Sequence, residues 1–145
     1  MVVCGGVFDI LHPGHVFILE KAKALGDLLV VIVARDSTVK GHKRIPIVSE
    51  EQRLEMVKGL KPVDAAVLGH EGDPLEIIEE LKPDIIALGP DQHHSEKKIK
   101  EELEKRGLSV KVRRIEEYRE CELNSTRAIL QRILERGYPD SRKGE

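Results

Sequence analysis

The feature that most constrains the fold is the run Leu28–Ala34, in which every residue is apolar. A strand with one face in water alternates apolar and polar residues, so an unbroken run is typical of a strand buried on both faces of a parallel sheet. Further apolar runs predict four more strands, at Val2–Cys4, Ala65–Leu68, Ile85–Leu88 and Val110–Val112.

Helical patterns separate these predicted strands. Ser49 opens a capping box, and helices are expected over residues 15–25, from Ser49, from Pro74, over 96–106 and over 125–135. In the last of these the inward positions are Ile129, Leu130, Ile133 and Leu134. Alternation of strands and helices predicts right-handed crossovers, and hence an α/β fold with a Rossmann-like, doubly wound parallel sheet of five strands.

Length and composition narrow the class of protein. The 145 residues suit one domain, which we expect over residues 1–137, followed by a polar tail over 138–145. No run of about 18 apolar residues is present, so a membrane span is not expected. The net charge of −2 disfavours binding to nucleic acid. With only Cys4 and Cys121, a disulfide framework is not expected and a cytoplasmic location is predicted.

The unusual residues follow the strands, where open α/β sheets bind their ligands. After the first strand, Gly5 and Gly6 would let a ligand approach the backbone, and His12-Pro13-Gly14-His15 opens the next helix. Neither GxGxxG nor GxxxxGK[ST] occurs. Two imidazoles at a helix N-terminus, beside its free N–H groups, can donate to one phosphate and stabilise charge developing there. Alternatives are that both histidines only cap the helix, or that they join other His and Cys residues around a metal; no closed zinc spacing supports the metal site.

Three further loops carry polar residues. The segment 35–48 is the one local cluster of positive charge, and its place after a strand favours phosphate binding over a merely solvated loop. Asp91, after the fourth strand, can accept hydrogen bonds from ribose hydroxyls or a base amino group. In the last loop, a basic residue followed by hydroxyls at a helix start predicts a second phosphate site, although an ordinary N-cap would also explain Ser125. The residues of this loop that we expect at the nucleotide are Tyr118, Arg119, Asn124, Ser125 and Thr126.

Taken together, these motifs give a resemblance to a known family. Gly6-Val7-Phe8-Asp9 followed by His12-Pro13-Gly14-His15 resembles the HxGH nucleotidylyltransferase superfamily, in its cytidylyltransferase-like branch. Val63-Asp64, Gly89-Pro90-Asp91-Gln92 and Leu123-Asn124-Ser125-Thr126 fall where that branch carries motifs, so the likeness covers nearly the whole chain. Within this branch the chain is most similar to the archaeal-type FAD synthetases, on the basis of Val33-Ala34-Arg35-Asp36 and the Gly-Pro-Asp-Gln turn. The group that it resembles second most is the glycerol-3-phosphate cytidylyltransferases.

The resemblance implies roles for individual residues. His12 and His15 would contact the α-phosphate, Lys40 or Lys43 would reach the triphosphate, and Asp91 would bind the nucleoside. Val7 and Phe8 would offer backbone groups to the nucleotide. Most relatives have threonine at the position of Val7, so only its N–H can serve. Around the motif, Gly6, Asp9, Pro13 and Gly14 complete the nucleotide site, and Asp36 and Arg44 are candidates for the acceptor.

The resemblance also implies a reaction: a phosphate oxygen of FMN attacks the α-phosphorus of ATP, giving FAD and pyrophosphate without a covalent enzyme intermediate. Mg²⁺ is expected with the triphosphate, held mainly by substrate oxygens and water, with no protein metal ligands. A homodimer is expected. The alternatives are a CTP-dependent cytidylyltransferase acting on glycerol 3-phosphate or a similar ester, and a nucleotide-binding module without activity.

Overall fold

The sheet contains all five predicted strands. The computed structural model describes residues 1–40 and 44–137, and its strands are β1 (Val2–Gly6), β2 (Leu29–Val33), β3 (Ala65–Leu68), β4 (Ile85–Leu88) and β5 (Lys111–Arg114). They are all parallel, in the order β3-β2-β1-β4-β5. The predicted tail, residues 138–145, lies outside the described residues.

Six helices lie in the described part of the chain: α1 (Pro13–Lys23), α2 (Asp36–Lys40), α3 (Glu50–Lys58), α4 (Glu76–Leu81), α5 (Glu96–Lys105) and α6 (Thr126–Arg136). The short α2 was not predicted, because five residues leave no helical apolar pattern to detect. Ser49, Ser95 and Ser125 are the N-caps of α3, α5 and α6, each accepting a hydrogen bond from a backbone N–H of the first turn.

The sheet is buried on both faces, as the apolar run of β2 predicts. On one face, alternate β2 residues such as Val31 pack with Leu19 of α1 and Val57 of α3, and all three are completely buried. On the other face, Val30 packs with Ile78 of α4 and Leu103 of α5. Helices therefore cover both faces, which confirms the doubly wound α/β prediction.

The structure corrects two details of the predicted elements. Strand β5 runs from Lys111 to Arg114, and it accommodates charged residues that break the apolar pattern because its side chains are only partly buried or exposed. Helix α6 has no buried residue, and Ile133 and Leu134 are 44% and 78% exposed, so the expectation that they face inward was wrong. The helix follows β5 and does not connect two strands of the described sheet.

Strands β2 and β3 lie on one side of β1, and strands β4 and β5 lie on its other side. Strand order therefore reverses between β1 and β4. At such a point the following loops diverge and leave a crevice at the carboxyl ends of the strands. The loops after β1 and β4 carry the motifs singled out above. No helix among the described residues is long and apolar enough to cross a membrane.

Candidate active site

A cleft of about 380 Å³ opens at the point where strand order reverses. The loops after β1, β4 and β5 line it, together with residues of the 44–48 segment. Fourteen of the predicted site residues lie in its wall: Gly6, Val7, Phe8, Asp9, His12, Gly14, His15, Arg44, Asp91, Tyr118, Arg119, Asn124, Ser125 and Thr126. The tertiary structure thus brings residues from four separate loops to one site.

His12 and His15 form a reciprocal cap at the start of α1. His12 is the N-cap residue, and its Nδ1 accepts a hydrogen bond from the backbone N–H of Gly14 at 3.1 Å. The Nδ1 of His15 accepts from the backbone N–H of His12 at 3.3 Å. The ring centroids lie 3.8 Å apart. Capping and ligand binding are therefore not exclusive alternatives, since each ring uses one nitrogen for the cap.

The cap determines which nitrogen of each ring carries the proton. A neutral imidazole has one donor and one acceptor nitrogen, so a ring whose Nδ1 accepts carries its hydrogen on Nε2. Burial lowers the pKa of His12, and burial together with the nearby His12 lowers the pKa of His15 to about 4, against an opposing effect of Asp9. At neutral pH the pair thus consists of two uncharged rings, each with an Nε2–H available to a ligand.

This cap also modifies the expectation of free backbone donors at the helix start. The N–H groups of His12 and Gly14 are taken up by the imidazoles, and Pro13 has none. The Nε2–H groups are therefore the donors that the two rings offer to an anion, near the positive end of the helix dipole. Gly14 is required for this packing, because a Cβ there would lie 2.8 Å from the His12 ring.

Asp9 fastens the 44–48 segment to the loop after β1. Its buried carboxylate accepts from the backbone N–H groups of Ile47 and Val48 at 3.0 and 2.9 Å, and pairs with Arg44 at 2.6 Å. Although burial alone would raise it, these donors hold the pKa of Asp9 below its ordinary value. Asp9 lines the cleft, but its oxygens are engaged in shaping the wall.

The last loop places hydroxyl groups at the start of α6. Ser125 caps the helix by accepting from the N–H of Ala128 at 3.0 Å, and its own hydroxyl hydrogen stays available as a donor. Thr126 donates to the carbonyl oxygen of Ile10 at 3.0 Å, which ties α6 to the loop after β1. Both walls of the cleft are therefore joined at this end.

This chain is similar to known proteins in both sequence and fold. The family model described as "Cytidylyltransferase-like" matches residues 3–132. The chain belongs to the cytidylyltransferase-like family. Relatives named "FAD synthase" include those of Methanobrevibacter ruminantium, 57% identical over 91% of this chain and 90% of the relative, and of Archaeoglobus profundus, 58% identical over 92% and 86%. A solved structure described as the lipopolysaccharide core biosynthesis protein from Thermoplasma volcanium is 50% identical, with a TM-score of 0.80, and covers 81% of this chain and 97% of that one.

A few predicted site residues of this cytidylyltransferase-like chain lie outside the cleft wall or outside the described part. Pro13 occupies the first position of α1 and lines a separate shallow groove with Arg119. Asp36 begins α2 and accepts from Arg53 and from the N–H of Glu50. Lys40 ends α2, and Lys43 lies outside the described residues. Their assigned contacts with substrate stay predictions.

Arg53 holds together the segments that form the cleft, and it was not predicted from the sequence. It is completely buried in α3, and its guanidinium donates to the carbonyl oxygens of Val7 at 2.7 Å, Ala34 at 2.9 Å and Val48 at 2.9 Å. One side chain therefore joins the loop after β1, the end of β2 and the 44–48 segment. The available signal was its position four residues before Val57, on the buried stripe of α3, where a charged residue is unusual.

Gln92 and Arg114 hold the turn after β4, and neither was singled out from the sequence for this. The Gln92 side chain accepts from the N–H of Gly89 and donates to the carbonyl oxygen of Gly5, both at 2.9 Å, so it bridges β4 and β1 where they diverge. Arg114 donates to the carbonyl oxygens of Gly89 and Gln92 at 2.9 and 2.8 Å. These bonds fix the backbone on either side of Asp91.

Proposed function

We propose that this chain transfers AMP from ATP to FMN, giving FAD and pyrophosphate. The observation that carries the proposal is the His12–His15 pair, whose Nε2–H groups are left free by the cap in a cleft at the ligand-binding end of the sheet. The choice of reaction is supported by the relatives named FAD synthase, which are 52–58% identical over most of their length. These relatives favour neither a cytidylyltransferase acting on a small ester nor an inactive module.

In the proposed reaction a phosphate oxygen of FMN attacks the α-phosphorus of ATP. A P–O bond to FMN forms, the bond to the bridging oxygen of the β-phosphate breaks, and pyrophosphate leaves with the electron pair. Negative charge grows on the non-bridging oxygens of the α-phosphate as the reaction proceeds. The two Nε2–H donors are held in place before the reaction by the cap, so stabilising this charge requires no reorganisation.

The β- and γ-phosphates are assigned to the last loop. Arg119, Asn124, Ser125 and Thr126 line the same cleft as the histidines, and the Ser125 hydroxyl has a hydrogen to donate. Lys40 and Lys43 stay candidates for further charge neutralisation. Asp36 and Arg44 stay candidates for the FMN side, and Arg44 lines the cleft while it pairs with Asp9.

The divalent cation is proposed as part of the nucleotide substrate. The described residues contain no group of three or more His, Cys, Asp or Glu side chains arranged to hold a metal. The carboxylate of Asp9 is already occupied by Arg44, Ile47 and Val48. This donor set fits Mg²⁺ bound chiefly by phosphate oxygens and water, where the ion neutralises charge on the triphosphate.

The deciding experiment compares ATP with FMN and CTP with glycerol 3-phosphate, in parallel and with Mg²⁺, by measuring FAD or CDP-glycerol and pyrophosphate. We expect turnover only with ATP and FMN. His15→Ala should lower kcat by about 10²–10³-fold, as removal of one transition-state donor does. The matched control is His93→Ala, because His93 is exposed and outside the cleft wall.

Turnover with CTP, or full activity of a folded His15→Ala protein, would contradict the proposal. A homodimer and a cytoplasmic location stay predictions. Light scattering of the purified protein tests the first, and localisation of the native protein tests the second.

A further inference from the structure

The starting observation is a hydrogen bond that joins two loops of the cleft. The hydroxyl of Tyr118, in the loop after β5, donates to Oδ1 of Asp91, in the turn after β4, at 2.8 Å. Both residues line the cleft, and Tyr118 is 57% exposed. The bond therefore forms at the surface of the ligand site. Because the Tyr118 ring is exposed, its packing does not force the hydroxyl to meet Asp91.

Hydrogen bonds hold the backbone of the turn that carries Asp91, but these backbone bonds do not fix the rotamer of its side chain. Gln92 and Arg114 hold the carbonyl and N–H groups on both sides of Asp91. An exposed aspartate side chain would otherwise populate several rotamers. Donation from Tyr118 to Oδ1 selects one of them.

The second carboxylate oxygen is then the one left for a ligand. Within residues 1–40 and 44–137 no group donates to Oδ2 of Asp91. The bond to Asp91 raises the pKa of Tyr118, which keeps the phenol protonated and donating at neutral pH. A carboxylate that is held through one oxygen in this way is prepared to accept a hydrogen bond through the other.

We infer that Tyr118 is a positioning residue, which orients Asp91 so that Oδ2 accepts a hydrogen bond from a hydroxyl or amino group of the nucleoside. The inference rests on the proposed function, because it takes the nucleoside of ATP as the ligand of this wall. In this role Tyr118 acts on the nucleotide through its hydrogen bond to Asp91. Its effect is on binding of the nucleotide rather than on the reacting phosphate, which lies with the histidines.

The test is a double-mutant cycle on ATP binding, measured by calorimetry with ATP and Mg²⁺ in the absence of FMN. Tyr118→Phe removes only the hydroxyl oxygen and should weaken ATP binding about 3- to 10-fold, the effect of one lost hydrogen bond. In an Asp91→Ala background the same substitution should have no further effect, because the group that it positions is gone. Tyr118→Leu is the control for the ring, and should match Tyr118→Phe if only the hydroxyl matters.

Nucleotide analogues identify the donor. 2′-Deoxy-ATP lacks the 2′-hydroxyl, 3′-deoxy-ATP lacks the 3′-hydroxyl, and ITP lacks the base amino group. One of these groups donates to Asp91 in the inferred complex. For the analogue without that group, Tyr118→Phe should no longer weaken binding. In FAD formation, the same variant should raise KM for ATP and lower kcat less than twofold, since a contact equal in ground and transition state changes KM alone.

Three results would overturn the inference: no loss of ATP binding in Tyr118→Phe, an equal loss in the Asp91→Ala background, or an equal penalty with all three analogues. Failure of the proposed function gives a different result. The wild-type protein would then make no FAD, while the binding cycle with ATP alone would still report whether Tyr118 acts through Asp91.

Discussion

Replacement of Arg53 by methionine is predicted to destabilise the protein by about 3–5 kcal/mol. The side chain is completely buried and donates to three backbone carbonyl oxygens, of Val7, Ala34 and Val48. Methionine fills similar space but donates nothing. An ion pair can be replaced by apolar residues at little cost when both partners are replaced, but carbonyl oxygens stay in place and lose their donor.

The magnitude follows from the number of groups left without a partner. Each buried unsatisfied carbonyl costs about 1–3 kcal/mol, and relaxation reduces the sum for three neighbouring groups. The ion pair with Asp36 adds little, because that carboxylate is 42% exposed and solvent screens it. A loss of about 4 kcal/mol corresponds to a fall in Tm of roughly 10–15 °C for a chain of this size.

The assay is urea denaturation followed by circular dichroism, with Arg132→Met as the matched control. Arg132 makes one surface ion pair with Glu122, which is 77% exposed, so its loss should cost about 1 kcal/mol at most. The loss in free energy of unfolding for Arg53→Lys should lie between those of Arg53→Met and Arg132→Met. A lysine ammonium cannot reach all the carbonyl oxygens that the planar guanidinium reaches. Equal stability of Arg53→Met and Arg132→Met would refute the reasoning.

Three further predictions concern the site. Gly14→Ala should lower kcat for FAD formation at least tenfold with smaller loss of stability, because the added Cβ would lie 2.8 Å from the His12 ring and displace it; an unaltered kcat would contradict the cap geometry. Gln92→Leu should reduce the free energy of unfolding by about 2 kcal/mol in urea titrations, since it leaves the Gly89 N–H and the Gly5 carbonyl unpaired. Finally, lowering the pH from 6.5 to 4 should reduce the free energy of unfolding by about 2–3 kcal/mol, because His15 becomes protonated throughout that window in the unfolded chain but only near its lower end in the folded chain, where its pKa is about 4. His15→Gln should reduce this pH dependence, and the lowered pKa of His12 accounts for part of what remains.

The order of strands and helices was predictable because each depends on a local pattern. The apolar run at β2 is typical of a strand buried on both faces, and Ser49 and Ser125 marked the starts of α3 and α6 to within one residue. The loops that follow the strands could also be found, since the fold class alone puts them at the ligand-binding end. For that reason His12, His15 and Asp91 could be proposed as site residues from the sequence, and the structure places all three in the wall of one cleft.

What only the tertiary structure decided is how those loops are held. Arg53 belongs to a helix far from the motifs, yet its guanidinium joins three strand-end segments that come within its reach only when the sheet is assembled. The same holds for the bond from Tyr118 to Asp91 across 27 positions of the chain. Sequence patterns record burial and local hydrogen bonding, whereas a contact between distant loops depends on directions that the packed helices and strands impose. The candidate site residues were therefore visible in the sequence, whereas the contacts that hold them, such as those of Arg53 and the bond from Tyr118 to Asp91, were not.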